Sequence, residues 1–410
     1  MRLKPERIKL IINLTAVSII ILFALMLMTS GGSVIYMARL LFWGRSDTGD
    51  ISKFAAKSID NRMPVFHFAE DPTPALFKSI NYTWQGEPLS SDFDTLMTDS
   101  GTTALIVIQD GSIRFERYYN GTNRATINTS FSVAKSFDSA LVGIAINEGY
   151  IKSVDEAIIN YLPELKGRGL DAVTIRHLLT MSTGIRYLSE ENTFPFIWVS
   201  DDARTYYMPN LRDLALRVSP SVNPPGAKFH YNNYHPLLEG LILERATGVP
   251  VSFYIQEKLW KPLGMEYPAT WSVDSKLDAF EKMESGINAR SIDFAKFGQL
   301  MLENGFWEGT QLIPQSWVKE STAPGSSDQR PWMDDEEFKE NNGYYQYHWW
   351  GKTRPDRHYE YLAIGSYGQF IYVCPQNRIV IVRNGSRRGH VDDWPALLQA
   401  IEDQLVTGEE

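Results

Sequence analysis

Hydrophobic positions are distributed unevenly along the chain, with one long apolar run near the N-terminus. Residues 10–28 contain no charged side chain, and a run of this length spans a bilayer core of about 30 Å. Basic residues that precede a span stay in the cytoplasm, and the segment before this run contains Arg2, Lys4, Arg7 and Lys9. The pattern predicts a single-pass membrane anchor, with the rest of the chain outside the cytoplasm, on the periplasmic face of a bacterial inner membrane.

The residues that follow the run leave two points open. A cleaved signal peptide needs a small-x-small site, and residues 29–32 offer only a poor one, so an uncleaved anchor is favoured over cleavage. Residues 34–43 are apolar but are interrupted by Arg39. They predict either a helix in the membrane interface or a continuation of the spanning helix.

The remaining pattern alternates between the periodicities of strands and helices. Short apolar runs bounded by turn residues predict strands at 103–108, 113–119, 344–350, 359–364, 369–373 and 378–383. Asp110-Gly111, between the first two, is typical of a tight hairpin. Apolar residues three and four apart predict helices from Ser132 onwards and at 237–246, 288–304 and 392–405.

Strands at both ends of a helical middle indicate one α/β (α+β) domain, residues 91–410, whose chain leaves the sheet and later returns to it. Before it come the anchor region, residues 1–45, and a turn-rich linker or strap, residues 46–90. Within the domain we expect a sheet part and a mostly helical part, at about 91–150 with 285–410 and at about 151–284 respectively.

Charge and cysteine content narrow the classes of partner. The net charge of −9 disfavours nucleic acid as a partner. The single cysteine, Cys374, excludes an internal disulfide and a cysteine-based metal site. With no His-Glu-x-x-His motif either, we expect no metal and no cofactor. The acidic residues 334–337 predict a solvated loop, and the oligomeric state stays open.

The most informative motif is Ser132-Val-Ala-Lys135, at the start of a predicted helix with apolar Phe137, Leu141 and Ile144. A serine at a helix N-terminus faces free backbone N–H groups and the positive end of the dipole. A lysine three residues later lies on the same face, and desolvation there favours its neutral form. The pair predicts a nucleophile with its activator, although a capping serine and an exposed lysine are the ordinary reading of an isolated match.

Two further segments provide the other groups that acyl transfer needs. Tyr231 follows Pro224-Pro225-Gly226, and a tyrosine on such a loop can shuttle a proton to the leaving group. Asn233 can orient the lysine, bind the substrate or cap the following helix. Gly365 and Ser366 interrupt two strand segments, and the backbone N–H groups of Ser366 and Ser132 would make a two-donor oxyanion hole.

Taken together these motifs resemble the serine β-lactamase and penicillin-binding-protein superfamily, in particular the class C β-lactamase-like hydrolases. Ser132-x-x-Lys135 is similar to the family's first box, and Tyr231-Asn232-Asn233 to its Tyr-x-Asn box. The resemblance implies an antiparallel sheet flanked by helices, with an inserted helical part. The family's third box, Lys-Thr-Gly, departs here, because Ala363-Ile364-Gly365 or Ser366-Tyr367-Gly368 replaces it without a lysine.

In that family the missing lysine helps to hold a substrate carboxylate, so its loss disfavours β-lactams and D-Ala-D-Ala peptides. The variant box looks more like the branch that contains carboxylesterases and 6-aminohexanoate-dimer hydrolase, which implies small esters or linear amides as substrates. The expected catalytic residues are Ser132, Lys135 and Tyr231. The alternatives are a β-lactamase or D-Ala-D-Ala carboxypeptidase-like enzyme, and a non-catalytic ligand-binding or envelope-assembly protein on the same fold.

Overall fold

The computed structural model describes residues 5–29, 33–325, 343–355 and 358–408. The acidic segment predicted as a solvated loop, residues 334–337, lies outside the described residues. The helices are α1 (Pro5–Thr29), α2 (Val34–Trp43), α3 (Phe93–Asp99), α4 (Ala134–Asn147), α5 (Ile175–Leu179), α6 (Glu190–Thr193), α7 (Asp201–Tyr207), α8 (Leu211–Leu216), α9 (Tyr234–Thr247), α10 (Val251–Ile255), α11 (Ser291–Leu302), α12 (Gln315–Thr322) and α13 (Trp394–Thr407).

The strands are β1 (Ala56–Ile59), β2 (Ala69–Glu70), β3 (Ser79–Trp84), β4 (Glu87–Asp92), β5 (Thr102–Gln109), β6 (Ser112–Tyr118), β7 (Ile127–Thr129), β8 (Ala269–Ser272), β9 (Ile287–Arg290), β10 (Phe306–Trp307), β11 (Thr310–Gln311), β12 (Gly343–Gln346), β13 (Trp349–Thr353), β14 (Tyr359–Gly365), β15 (Gln369–Cys374) and β16 (Ile379–Gly385).

The main sheet has eight strands in the order β12-β13-β14-β15-β16-β5-β6-β2. Neighbouring strands are antiparallel, except that β2 lies parallel to β6. The two ends of the domain meet where β5 pairs with β16, for example Ile106 with Val382. This arrangement confirms the predicted mixed α/β fold, with strands from both ends of the domain in one sheet.

Both faces of the main sheet are covered, because successive side chains of a strand point to opposite sides. In β5, Ile106 and Ile108 join the core on the side of α4, α9 and α11. Leu105 and Val107 join a second core, on the side of α3 and α13. The first core also includes Leu211, from the mostly helical middle. The helical part therefore shares its apolar interior with one face of the sheet.

Two predicted elements are divided differently in the structure. The single strand predicted at 344–350 is wrong: it is the hairpin β12–β13, which turns at Tyr347 and His348 with φ of 40° and 66°. Such left-handed turns match the twist of the paired strands, but the residues that signal them are usually Asn and Gly. The helix predicted at 288–304 begins later, at Ser291, because residues 287–290 form β9 between β7 and β8.

The segment before the domain contributes elements to both larger sheets. In a second, four-stranded sheet with the order β1-β8-β9-β7, β1 is an edge strand. Next along the chain, β2 extends the main sheet beyond β6, and β3 and β4 form a separate hairpin. Helix α2 begins at Ser33, whose hydroxyl accepts a hydrogen bond from the N–H of Tyr36. It is therefore a helix with its own N-terminal cap, and it buries Tyr36 and Met37 against Ala203 and Tyr207 of α7.

Gly298 fixes how closely α11 approaches the main sheet. A Cβ atom at this position would lie 2.6 Å from Cγ1 of Val380 and 2.8 Å from Cγ2 of Ile371. We predict that Gly298→Ala destabilises the protein by about 1–3 kcal/mol, as overpacking of a well-filled core does. Urea unfolding at equilibrium measures this change. An equal or higher free energy of unfolding in the variant would contradict the prediction.

Candidate active site

Ser132 lies in a one-turn segment, residues 131–133, directly before α4. The preceding Phe131 has a φ of 43°, a left-handed conformation that a bulky residue rarely adopts. Ser130 fixes this conformation, because its N–H donates to the carbonyl of Ile287 at 2.7 Å and its Oγ accepts from the N–H of Ile287 at 3.1 Å. The turn that carries Ser132 is thus joined to β9 by a pair of hydrogen bonds.

On its other side the turn meets the end of β14. A Cβ atom on Gly365 would lie 2.4 Å from the carbonyl oxygen of Ser130. Only a glycine therefore allows the strand to approach the turn that carries Ser132 this closely. The group that approaches this glycine is the backbone of residue 130.

Lys135 points back towards Ser132 from the first turn of α4. Its Nζ lies 2.9 Å from Oγ of Ser132 and donates a second hydrogen bond, of 3.0 Å, to the carbonyl of Glu284. The side chain is 1% exposed. These contacts aim the amine at the serine hydroxyl and leave little access for water. The predicted pair is therefore assembled in the structure.

Tyr231 covers the lysine from the cavity side. The Nζ of Lys135 lies 4.8 Å from the centroid of the Tyr231 ring. Trp350 stacks on the same ring, with centroids 5.9 Å apart and an interplanar angle of 27°. Lys135 thus contacts both Ser132 and Tyr231, although the three residues come from the turn before α4, from α4 and from the loop before α9. The neighbouring tryptophan limits how far the tyrosine ring can tilt.

Asn233 is placed differently from Asn232. The side chain of Asn233 donates to the hydroxyl of Tyr187 at 3.0 Å, and that hydroxyl donates to Asp202 at 2.5 Å. Asn232 is wholly buried, and its side-chain oxygen accepts from the N–H of Tyr234 at 2.8 Å. The local capping role considered for Asn233 therefore belongs to Asn232, and Asn233 is left on the cavity wall.

Ser132 and Tyr231 open into a cavity of about 1030 Å³. Its wall contains Ser366 and, beside it, Tyr367, whose ring lies 5.1 Å from that of Phe131. Ala363, which one of the two alignments of the third box places at the position of the absent lysine, is wholly buried in the core. The remaining described lining residues come from the segment after α2, from residues 187–207, from the loop before α9, from the chain before β9 and from β13: Arg45, Ser46, Tyr187, Ser189, Glu190, Glu191, Phe194, Ile197, Asp202, Ala203, Tyr206, Tyr207, Phe229, His230, Asn233, Glu284, Ser285 and Trp350.

The charged residues of this wall were not found from the sequence. Among the described lining residues, Arg45 and His230 are the basic side chains. The acidic ones are Glu190, Glu191, Asp202 and Glu284. Burial, and then the nearby Asp202 carboxylate, raise the pKa of Glu190, while Arg45 opposes the shift. The cavity wall is thus predominantly acidic. Arg45 carried no motif and is the last residue of the predicted anchor region, residues 1–45.

Arg383, in β16, is not among the described residues that line the cavity. Its guanidinium is wholly buried and donates to the carbonyls of Gly368 at 2.6 Å and Ser100 at 3.0 Å. It also lies 3.9 Å from the ring centroid of Trp394. The arginine therefore fixes the turn between β14 and β15 from inside the protein.

Comparison with known proteins now identifies the family. A family model described as Beta-lactamase matches residues 89–405 of this chain. The chain belongs to the beta-lactamase family. It is 27% identical to the 6-aminohexanoate-dimer hydrolase of Paenarthrobacter ureafaciens over 314 residues, which is 74% of this chain and 76% of that protein. Over 123 residues, 28% of this chain and 31% of the relative, it is 33% identical to esterase EstB of Burkholderia gladioli.

Solved structures have the same fold. A Bacillus anthracis protein provisionally assigned as a 6-aminohexanoate-dimer hydrolase superposes with a TM-score of 0.74 and 22% identity, covering 86% of this chain and 92% of the other. A penicillin-binding protein homologue from Pyrococcus abyssi gives a TM-score of 0.58 and 19% identity, with 77% and 76% covered. This beta-lactamase-family chain is a serine hydrolase, and the resemblance inferred from its motifs is confirmed.

Beneath the serine–lysine pair, this family member buries a cluster of ionisable groups formed by Asp138, Glu239 and His348. His348 Nε2 lies 2.7 Å from Glu239 Oε2, and the hydroxyl of Tyr345 lies 3.1 Å from His348 Nδ1. A neutral imidazole satisfies both contacts if Nε2 carries the proton. Burial, followed by the charge of Lys135, lowers the pKa of His348 well below its usual value, in agreement with a neutral ring.

The two carboxyl groups of this cluster can share one proton. Both oxygens of Asp138 and Oε1 of Glu239 are buried without a hydrogen-bond donor among the described residues, yet the two side chains are close enough to bond each other. Burial raises the pKa of both, that of Glu239 to about 8, and the neighbouring Glu239 adds to the rise at Asp138. By residue type the three groups could also hold a metal ion, but a shared proton satisfies the carboxyl oxygens equally.

We predict that this buried proton makes stability depend on pH. Because the folded-state pKa of Glu239 is about 8, above its ordinary 4.5, the contribution of the proton is complete below pH 4.5 and is lost as pH rises through 8. The wild type should therefore lose stability relative to Glu239→Gln between about pH 5 and pH 8, since glutamine stays neutral. Urea unfolding across this range measures the difference.

Glu87→Gln, at an exposed position in β4, is the matched control, and its pH profile should run parallel to that of the wild type. A Glu239→Gln profile that also runs parallel to the wild type would contradict the shared proton.

Proposed function

We propose that this protein is a membrane-anchored, extracytoplasmic serine hydrolase that cleaves uncharged carboxylic esters or small linear amides through an acyl-enzyme on Ser132. The observation that carries the proposal is the 2.9 Å contact between Lys135 Nζ and Ser132 Oγ at the bottom of a large cavity. A nucleophile needs an adjacent base within hydrogen-bond reach. Both requirements of acyl transfer, an activated hydroxyl and room for an acyl group, are met at the same place.

In this mechanism Lys135, as the free amine, accepts the proton of Ser132 while Oγ attacks the substrate carbonyl. The hydrogen bond to the Glu284 carbonyl keeps the amine aimed at Oγ and stabilises the ammonium that forms. Backbone N–H groups of Ser132 and Ser366 are the proposed donors to the oxyanion, and a pair of such donors stabilises the charge that develops there. Ser366 and Ser132 line the same cavity, which supports this assignment.

Tyr231 is the proposed proton carrier between the lysine and the leaving group. Its ring lies against Lys135 on the cavity side, so its hydroxyl belongs to the part of the wall that an ester or amide oxygen or nitrogen would meet. After the leaving group departs with that proton, a water molecule enters and attacks the acyl carbonyl, its proton passes through the same pair to Oγ of Ser132 as the C–Oγ bond breaks, and the acid is released. Asn233 is the proposed contact to the substrate carbonyl or amide.

The acidic wall supports uncharged substrates over anionic ones. Ala363 offers no charge to a substrate carboxylate, and Glu190, Glu191 and Asp202 outnumber Arg45. Relatives named as an amide hydrolase and as an esterase support these two substrate classes. Matches named D-alanyl-D-alanine carboxypeptidase, 22% identical over 40% of this chain, and the presence of Arg45 favour a carboxypeptidase or β-lactamase as the second candidate.

A non-catalytic binding protein is the remaining alternative. It would have no need for a lysine that is 1% exposed and directed at a serine hydroxyl, so the pair supports an enzyme. The proposed anchor is α1, in which residues 11–28 have a mean hydropathy of 2.6 and are long enough to cross a membrane. An uncleaved anchor and a removed signal sequence fit this length and composition alike, and we favour the anchor.

The first prediction for this function concerns the nucleophile. Ser132→Ala should lower ester turnover on the order of a thousandfold or more, and Lys135→Ala comparably, because members of one catalytic unit are not additive. Labelling by a fluorophosphonate and burst kinetics with p-nitrophenyl butyrate measure this loss. Ser366→Ala is the matched control: it keeps its backbone N–H and should retain activity. Near wild-type turnover in Ser132→Ala would refute the acyl-enzyme on this residue.

The second prediction concerns charge. A hydrogen bond to a charged group contributes about 1.5–3 kcal/mol, so a substrate whose carboxylate lacks a partner should lose roughly ten- to a hundredfold in kcat/KM. We expect p-nitrophenyl butyrate to be hydrolysed well and nitrocefin poorly on the same preparation. If nitrocefin were hydrolysed with equal or greater efficiency, the β-lactamase alternative would replace the esterase.

A further inference from the structure

The end of the apolar helix contacts the wall of the catalytic cavity. Helix α1 packs against the turn at residues 197–199, and Ile197 of this turn lines the cavity. Met26 and Leu27, at the end of α1, pack on the cluster that contains Tyr36 and Tyr207. A single turn of chain therefore has the hydrophobic helix on one side and the cavity on the other.

The chain that follows α1 also forms part of that wall. The hydroxyl of Tyr207 donates to the carbonyl of Gly44 at 2.9 Å, and that of Tyr367 donates to the carbonyl of Ser46. Between these two anchored carbonyls, Arg45 and Ser46 line the cavity. Two hydrogen bonds thus tie the chain that follows α2 to the wall of the cavity.

Around this junction the surface carries large exposed hydrophobic side chains, which we call the junction patch: Val34, Ile35, Leu41, Phe42, Phe194 and Phe196. Phe42 is 85% exposed, Phe194 74% and Phe196 56%. Phe194 also lines the cavity. Four of these residues belong to α2 and two precede the turn at 197–199, and both of these elements contact α1. Exposed apolar side chains gathered in one region of a surface mark a contact with another apolar phase or with a partner.

Chain length favours the bilayer as the occupant. Four residues, 30–33, separate α1 from α2, so five Cα–Cα steps join Thr29 to Val34 and reach at most about 18 Å. If α1 spans the membrane, α2 cannot be farther from its end than that. The patch is then held at the interface, where aromatic and aliphatic side chains of amphipathic helices insert.

We propose that the catalytic cavity opens at the membrane surface and that its substrates are amphiphilic acyl esters taken from the bilayer, with the junction patch seated in the lipid interface. The proposal rests on the proposed hydrolase function and anchor. Phe194 and Ile197 give the acyl chain an apolar path from lipid to Ser132, while the acidic wall meets an uncharged or cationic polar part. A short ester dissolved in water needs no such path.

The test uses the full-length protein reconstituted in phosphatidylcholine vesicles, with p-nitrophenyl palmitate incorporated in the bilayer and p-nitrophenyl butyrate in solution. The double variant Phe42→Asp, Phe196→Asp alters the patch at two residues that do not belong to the cavity lining described above. We expect roughly tenfold slower hydrolysis of the embedded ester, because charge weakens interfacial insertion, and unchanged hydrolysis of the soluble one.

Phe306→Asp is the matched control. Phe306 is an aromatic residue of β10 and is 49% exposed. Strand β10 follows the C-terminal end of α11. The turn that carries Ser132 is bonded through Ser130 to β9, which precedes the N-terminal end of α11. Helix α11 has 12 residues, so about 18 Å separate its two ends. This variant should hydrolyse both esters as the wild type does.

Three results would overturn the inference, and they are distinguishable. If the double variant hydrolysed the embedded ester as fast as the wild type does, the junction patch would have no role in taking up substrate, and the proposed hydrolase function would be unaffected. Recovery of the expressed full-length chain as an active soluble form that the cell has cleaved near residue 30 would show that α1 is a removed signal sequence, and the inference would fall with the anchor. Absence of butyrate hydrolysis in the wild type would refute the proposed function and therefore the inference.

Discussion

The geometry of the site depends on two hydrogen bonds between Ser130 and the backbone of Ile287. They hold Phe131 in a left-handed conformation that would otherwise relax, and the conformation turns Ser132 towards the cavity. The close approach of Gly365 closes the turn from the opposite side. Ser132 is therefore positioned by three separate parts of the chain, α4, β9 and β14, and none of them could place it alone.

The same arrangement explains why the helical middle is needed. Glu284 offers its carbonyl to Lys135, and Tyr231 covers the amine, and both come from the region between the two sheet-forming ends. Below them, Asp138 and Glu239 extend the polar interior from α4 into α9. Burying several ionisable groups beneath Lys135 costs free energy unless their charges are neutralised. A proton shared by Asp138 and Glu239, beside a neutral His348, neutralises all but one of these charges.

Much of this could be predicted from the sequence, because local patterns dominate where one residue type has one plausible role. The Ser132–Lys135 pair is set by helix geometry, and the hairpin at Asp110-Gly111 by backbone conformation. The hairpin at Tyr347 and His348 was missed, since its left-handed residues are not turn formers and only tertiary packing holds them. Arg45 was missed because the wall of a cavity is assembled from distant segments, which one-dimensional spacing does not encode.

The placement of Arg45 and Ser46 in the cavity wall has a consequence for how such an enzyme can diverge. In most anchored proteins a tether can lengthen, shorten or be replaced without altering what the catalytic domain binds. Here the residues that follow the hydrophobic helix are part of the chamber in which the substrate lies. If α1 is the proposed anchor, an insertion or deletion between residues 33 and 46 would change both the cavity and its connection to the membrane, so localisation and substrate range would evolve together.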